Sequence, residues 1–314
     1  MSLYIERIIP ALSGEWDSVW RQCTYATYFH SREWAEIWRQ YTRGWYQPNP
    51  LWIVFTDGRE ALLPLTREMS DGSAKSFLSS PARTYGGWIS IDPIGREHAT
   101  LMKEFLTTKL GKLAWQINPF DELVSAIHVE TNEKDETHAI NLVKGFDSVY
   151  ADWSSACRRA ERKARRSGVM VRVADNEEDW RDYYHAYEDS HRRWGGRALS
   201  RYEWSLFQIM HNLHSRHLKL WLATNNEGRI IAGALMCYAK RHAVYWHGAA
   251  LEASLGLRPM NLLFYESIRD ACEKGYEWFD FNSSGGLDGV RRLKEGFAAR
   301  PLDCSIAHVR LEQC

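Results

Sequence analysis

The chain has 314 residues, 45% of them hydrophobic and 25% charged, and its 40 basic residues are balanced by 40 acidic ones. These values exclude a disordered or fibrous chain and leave room for two domains, each able to bury a core. With no net charge, any polyanion has to be held by a local patch rather than by the overall field. No run of about 18 apolar residues is present, the first ten positions include Glu6 and Arg7, and six cysteines, among them Cys157 and Cys314, form no C-x-x-C pair. A cytoplasmic protein with reduced thiols and no stable membrane insertion is expected.

Taken in order, residues 4–9 read as a strand, and residues 14–40 as two helices broken near Ser31, which is placed to cap the second. Residues 51–56 and 61–67 flank Asp57-Gly58 as a hairpin with a two-residue turn. Residues 77–91 add one or two strands around Tyr85-Gly86-Gly87-Trp88, and residues 97–110 form a helix stopped by Gly111 ahead of a strand at 113–117. The second half repeats this order. Asp175 or Asn176 caps a helix, residues 202–214 form another, a hairpin turns at Asn226-Glu227-Gly228, and residues 243–249 add a strand. A helix ending at Glu273-Lys274-Gly275 then leads to the aromatic strand Trp278, Phe279, Phe281. Asp57-Gly58-Arg59 answers Glu227-Gly228-Arg229, Gly111 answers Gly275 and Asn118 answers Asn282. The chain therefore reads as two copies of one α/β unit, divided near residue 150, with the acidic stretch 130–137 as a surface loop.

Three stretches can carry chemistry. Residues 157–168, CRRAERKARRSG, place Arg158, Arg162 and Arg165 on one helix face at about 100° per residue, a spacing that grips successive phosphates; a solvated helix face is the alternative. Residues 282–297 follow a strand with Gly285-Gly286 and then Arg291, Arg292 and Lys294, residues suited to anion or oxyanion contact. Arg258-Pro259 opens a helix, where anions bind and where Pro is also ordinary capping. Trp194 lies in an aromatic and basic loop that suits a cleft wall or a plain turn. His211, His214 and His217 do not share one helix face, so no metal is expected. Only the second copy of the repeat runs on into glycines and cations, which assigns it the chemistry.

The runs FHSREWAEIW at 29–38, RRAERKARRSGV at 158–169, RPMNLL at 258–263, FDFNSS at 279–284 and LKEGF at 293–297 resemble the Fem-type transferases. That resemblance implies an α/β fold of two tandem GNAT-like domains, mixed sheets flanked by helices, with residues 1–150 as the acceptor or scaffold domain and 151–314 as the catalytic one. It further implies an acyltransferase that takes an aminoacyl group from aminoacyl-tRNA to an amine of a peptide, amino acid or cell-wall precursor, with no separate cofactor. Lys294 then holds the donor or the developing oxyanion beside a strand carrying Tyr245 and His247. Asp280, His247 or the substrate itself takes the proton from the amine, and Arg158, Arg162, Arg165, Arg258 and Arg291 contact phosphates. Residues 255–261 keep one glycine of the loop with which CoA-dependent GNAT enzymes hold a pyrophosphate, which disfavours CoA. An acyl-CoA-dependent N-acyltransferase and a non-catalytic polyanion-binding module are the alternatives.

Overall fold

The computed structural model describes residues 2–70, 72–195, 200–284 and 288–310. The chain divides into two compact units, Met1–Glu136 with Leu302–Cys314, and Thr137–Pro301. The division expected near residue 150 therefore falls earlier, and the last stretch of chain returns to the first unit. Alternation in a short terminal strand does not specify which sheet it joins, so this return carried no sequence signal.

In the first unit, β1 (Ile5–Pro10), α1 (Ser13–Gln22), α2 (Arg32–Tyr41), β2 (Tyr46–Phe55), β3 (Glu60–Ser70), β4 (Ser73–Leu78), α3 (Arg96–Thr108), β5 (Leu113–Gln116) and α4 (Glu122–Ala126) are joined by β13 (Ile306–Val309) from the end of the chain. The sheet order is β1-β2-β3-β4-β5-β13. Ser31 caps α2 as expected, its Oγ accepting from Trp34 N at 3.0 Å.

The second unit contains β6 (Glu136–Asn141), α5 (Phe146–Asp152), α6 (Ser155–Arg166), β7 (Met170–Val173), α7 (Glu177–Trp194), α8 (Trp204–Asn212), β8 (Leu218–Thr224), β9 (Ile230–Tyr238), β10 (His242–Ala250), α9 (Pro259–Glu273), β11 (Trp278–Ser283), α10 (Asp288–Gly296) and β12 (Arg300–Asp303). Its sheet order is β12-β6-β11-β10-β9-β8-β7. Asn176 caps α7, its Oδ1 accepting from Asp179 N at 3.0 Å.

The internal repeat is present strand for strand. β1 to β5 and β7 to β11 run in the same order, antiparallel except for one parallel pair, β4 with β5 and β10 with β11. Each parallel pair encloses a helix, α3 or α9, as a parallel connection requires. The two hairpin turns match as well. Phe55 N donates to Arg59 O at 2.9 Å and Asn225 N to Arg229 O at 3.0 Å, while Gly58 and Gly228 alone adopt left-handed backbone within these turns, φ +83° and +79°. Either two-residue primed turn expected at Asp57-Gly58 would need Asp57 at positive φ, which it does not adopt; the observed form is the longer turn that ends in a left-handed glycine.

The stretch 77–91 behaves differently from a simple strand pair. β4 leaves the sheet after Leu78, and the chain re-enters with Gly86 bridged to Ile117 and Ile89 bridged to Leu62. The first unit thus fills the gap beside β5 with its own chain. The stretch 130–137 is not a free loop: Glu133 bridges Ile306 of β13, and β6 begins at Glu136.

The core of the second unit joins α9 to the sheet through Leu262, Leu263, Phe264 and Ile268 against Ala232, Ala234, Phe279 and Phe281. On the opposite face, Gly233 makes room for α7, since a Cβ there would collide with the ring of Tyr183 and lie 3.2 Å from Trp221 O. Gly233→Ala should cost about 1–3 kcal/mol of stability by overpacking. Gly256→Ala, with nothing within 4 Å of the added carbon, should stay within about 0.5 kcal/mol. Urea unfolding midpoints of the two variants check this contrast.

Candidate active site of the second unit

β10 and β11 pair at three positions, His242 with Trp278, Ala243 with Phe279 and Val244 with Asp280. Both strands continue, β10 to Ala250 beside β9 and β11 to Ser283 beside β6. Beyond Val244 and Asp280 they no longer pair with one another, so the sheet splits at the carboxyl ends of its parallel strands, the place where open α/β sheets accept ligands. Residues 245–248 are half-buried, while residues 243–244 and 249–250 on either side are buried.

A bulge shapes this open segment. The register runs from Tyr245 opposite Met236 to His247 opposite Leu235, leaving Trp246 as the extra residue. The alternation of side chains therefore reverses, and Tyr245 and His247 go to different faces. Tyr245 packs toward α9 and β11, with ring centroids 5.0 Å from Phe264 and 6.4 Å from Phe281. Its ring lies across Gly248, where a Cβ would come 2.8 Å from its Cε2. His247 faces α7 and α8, with Tyr187 at 4.7 Å, Phe207 at 5.5 Å and Tyr183 at 5.9 Å between centroids. Its Nδ1 lies 2.6 Å from Tyr183 Oη. Although part of the residue reaches solvent, this aromatic surround removes the hydration an imidazolium needs, and burial lowers the His247 pKa to about 3. Burial also pushes the Tyr245 and Tyr183 phenols up.

On the β11 side, Asp280 is fully buried and its Oδ1 accepts from Asn282 N at 2.8 Å and from Thr137 Oγ1 of β6. These bonds hold the end of β11 where its register with β6 shifts, between Asp280 and Ser283. Asn282 takes a left-handed conformation, φ +58°, which Asn tolerates better than most residues. Lys294, 2% exposed on α10, donates to Asn282 O at 2.6 Å and to Ser284 Oγ at 2.9 Å. The expected cation is thus delivered to the end of β11, beside the split, and not to the surface. Gly285 and Gly286 lie outside the described residues.

Of the other expected residues, Trp194 ends α7 with its ring 6.3 Å from Tyr187, Arg291 is exposed on α10 near Asp288 at 3.8 Å, and Arg258 is exposed in a left-handed conformation, φ 61°, at the start of α9. His211 contacts Asn212 and His217 contacts Arg216, and no three His, Cys, Asp or Glu side chains are grouped for a metal among the described residues.

The basic helix α6 divides in a way its spacing did not reveal. Arg158 turns inward and caps α5, donating to Ala151 O at 2.6 Å and to Trp153 O. Arg165 pairs with the buried Glu161 and with Glu266 at 2.9 Å and lies 4.5 Å over the Tyr265 ring. These two members of the expected phosphate grip are committed to the fold. Arg162 remains exposed, and with Arg159, Lys163 and Arg166, also exposed, it forms a stripe at i, i+3, i+4 and i+7. None of the four has an ion pair among the described residues.

Residues 154–291 match the family described as an acetyltransferase (GNAT) domain. That match covers most of the second unit, which has the GNAT fold. Along its full length the chain has the tandem GNAT fold of the Fem-type proteins. The crystal structure of FemX is similar at a TM-score of 0.73 and 13% identity, with 97% of each chain covered. The C-terminal domain of a protein described as a lysylphosphatidylglycerol synthetase from Agrobacterium fabrum is similar at 0.60 and 12% identity, covering 94% of this chain and 91% of that one. A tandem GNAT protein from the clavulanic acid biosynthesis pathway is similar at 0.53 and 9% identity, covering 99% and 100%. No curated protein matches the sequence. The GNAT domain makes the chain an acyltransferase, and no described helix is long and apolar enough to cross a membrane.

Sequence reasoning missed Tyr183 and the bulge at Trp246. Tyr183 is one of three tyrosines at helical spacing on α7, with Tyr184 and Tyr187, and its contacts with Gly233 and His247 single it out. Arg165→Gln should lower stability by about 1–3 kcal/mol, because it leaves the buried Glu161 without its cation, whereas Arg162→Gln should stay within about 0.5 kcal/mol. Thermal unfolding of both variants tests this division of α6.

Proposed function

We propose that the protein transfers an aminoacyl group from aminoacyl-tRNA to an amine at the split between β10 and β11. The observation that carries this reading is the open segment of β10. Residues 245–248 lack a β11 neighbour, and Tyr245 and His247 project from them to opposite faces. An acyl carbonyl lying along this segment meets strand backbone on one side and the end of β11, fixed by Lys294, on the other. Hydrogen-bond donors held in place before the reaction stabilise the tetrahedral oxyanion without reorganising. Lys294 supports that arrangement by holding Asn282 and Ser284. Asp280, with Oδ1 bonded to Thr137 and Asn282, acts as scaffold in this reading.

Two features favour an RNA-borne donor over acyl-CoA. The approach to α9 is wound into a 3-10 turn, Glu252–Leu257, whose amides are partly used, Ser254 N donating to Leu251 O and Arg258 N to Leu255 O. A pyrophosphate loop needs successive free amides in an open nest. The stripe Arg159, Arg162, Lys163 and Arg166 is the second feature, since a nucleic-acid backbone is bound by such cations. Arg258 and Arg291 add exposed positive charge on α9 and α10. The resemblance to Fem-type transferases supports the same donor, and the acceptor is the amine of a peptide, amino acid or cell-wall precursor.

Incubation with labelled aminoacyl-tRNA and, separately, labelled acetyl-CoA, in the presence of a panel of amines, should give transfer from the tRNA ester. Lys294→Met should lower kcat about 100-fold, the range seen when one oxyanion support is lost. Transfer from acetyl-CoA alone, or a rate indifferent to Lys294, would contradict the proposal.

A further inference from the structure

The Tyr183 and His247 pair can be analysed by where its protons must sit. Tyr183 is fully buried, and its hydroxyl lies 2.6 Å from His247 Nδ1. Among the described residues that nitrogen is its only partner. A neutral imidazole has one N–H and one bare nitrogen, and a phenol has one proton to donate. If Nδ1 carried the imidazole proton, the Tyr183 oxygen would accept it, and the phenol proton would be buried with no acceptor. Leaving a buried donor unpaired is the costlier arrangement. If the phenol donates to Nδ1, every buried proton is paired and the imidazole proton moves to Nε2. That atom has no hydrogen-bond partner among the described residues and is not among the enclosed polar atoms that lack one, so it is the ring nitrogen left open to a ligand.

The surroundings act in the same direction. The rings around His247 belong to Tyr183, Tyr187, Tyr202, Phe207 and Trp246, from α7, the segment before α8, α8 and β10 itself. None of these carries a formal charge that would stabilise an imidazolium, which agrees with the lowered His247 pKa and the raised Tyr183 pKa. Gly233 makes the pair possible, because a side chain there would displace Tyr183 from its position over β9.

We infer that His247 serves acyl transfer as a neutral hydrogen-bond donor, its Nε2–H presented to the acyl oxygen, and that Tyr183 is a positioning residue that fixes this tautomer. The inference rests on the reading of the β10 split as the site of acyl transfer. The amine nitrogen attacks the acyl carbon and forms the C–N bond, while negative charge gathers on the acyl oxygen and is met by Nε2–H. The C–O bond to the tRNA ribose then breaks, and the proton lost by the amine ends on the departing ribose hydroxyl. His247 keeps its own proton throughout, so it is not the base.

Two measurements test this. In the full chain labelled with 15N-histidine, correlations across the imidazole should show a bare Nδ1 and a protonated Nε2, and Tyr183→Phe should give a mixture of tautomers. In the transfer assay, His247→Gln, whose side-chain amide donates from near the Nε2 position, should keep kcat within about tenfold. His247→Ala should lose about 100-fold or more, and Tyr183→Phe about tenfold in kcat with KM unchanged. A protonated Nδ1 in the wild type, or a His247→Gln variant as inactive as His247→Ala, would overturn the inference. If the wild type transfers no acyl group from any donor, the functional reading fails, and the tautomer stands or falls by the spectra alone.

Discussion

The structure depends on a parallel strand pair that is allowed to part. β10 and β11 share three paired positions and then separate, and a separated strand leaves backbone N–H and C=O groups that burial would make costly. The fold meets this cost differently in its two copies. In the first unit the chain fills the gap. Ser79 N donates to Ala114 O at 2.9 Å, Gln116 N to Ser79 Oγ at 3.0 Å and Gly86 N to Gln116 O at 3.0 Å. Gly86 is required there, since a Cβ would collide with the backbone of Ser79. In the second unit residues 245–248 stay half-buried, and beyond Val244 and Asp280 β10 and β11 are no longer paired.

Around that opening, the second unit arranges side chains by backbone devices. The bulge at Trp246 sends Tyr245 and His247 to opposite faces, and two glycines on paired strands, Gly233 and Gly248, let the rings of Tyr183 and Tyr245 lie against the sheet. On the far side, Asp280, Asn282 and the buried Lys294 lock the end of β11. Left-handed conformations at non-glycine residues carry strain that surrounding contacts must hold. Asn282 is held by two such contacts, the Asp280 carboxylate on its N–H and the Lys294 ammonium on its carbonyl.

Much of this was legible in the sequence, and the reasons are specific. The repeat could be read because hairpin glycines and helix-stopping glycines recur in the same order, and Gly58 and Gly228 indeed occupy equivalent left-handed positions. The choice of the second copy rested on Lys294 and its neighbours, and Lys294 does lie at the end of β11. What periodicity could not show was commitment. Arg158 and Arg165 share a helical face with Arg162, but the carbonyls of α5 and the carboxylates of Glu161 and Glu266 claim the first two. Those partners are far along the chain or inward facing, so helical spacing alone does not reveal them. The division of the chain at Glu136 and the return of β13 depend likewise on pairing between distant strands.

The central claim is that the gap beside β10 is the acyl-donor site. Hydrogen–deuterium exchange of the full chain, with and without a tRNA 3′-end analogue bearing an amide-linked amino acid, tests it most directly. The account predicts that the analogue slows exchange in residues 245–248 and at the end of β11, while residues 79–87 of the first unit are unchanged. Protection confined to the first unit, or none at β10 under conditions where the analogue binds, would contradict it.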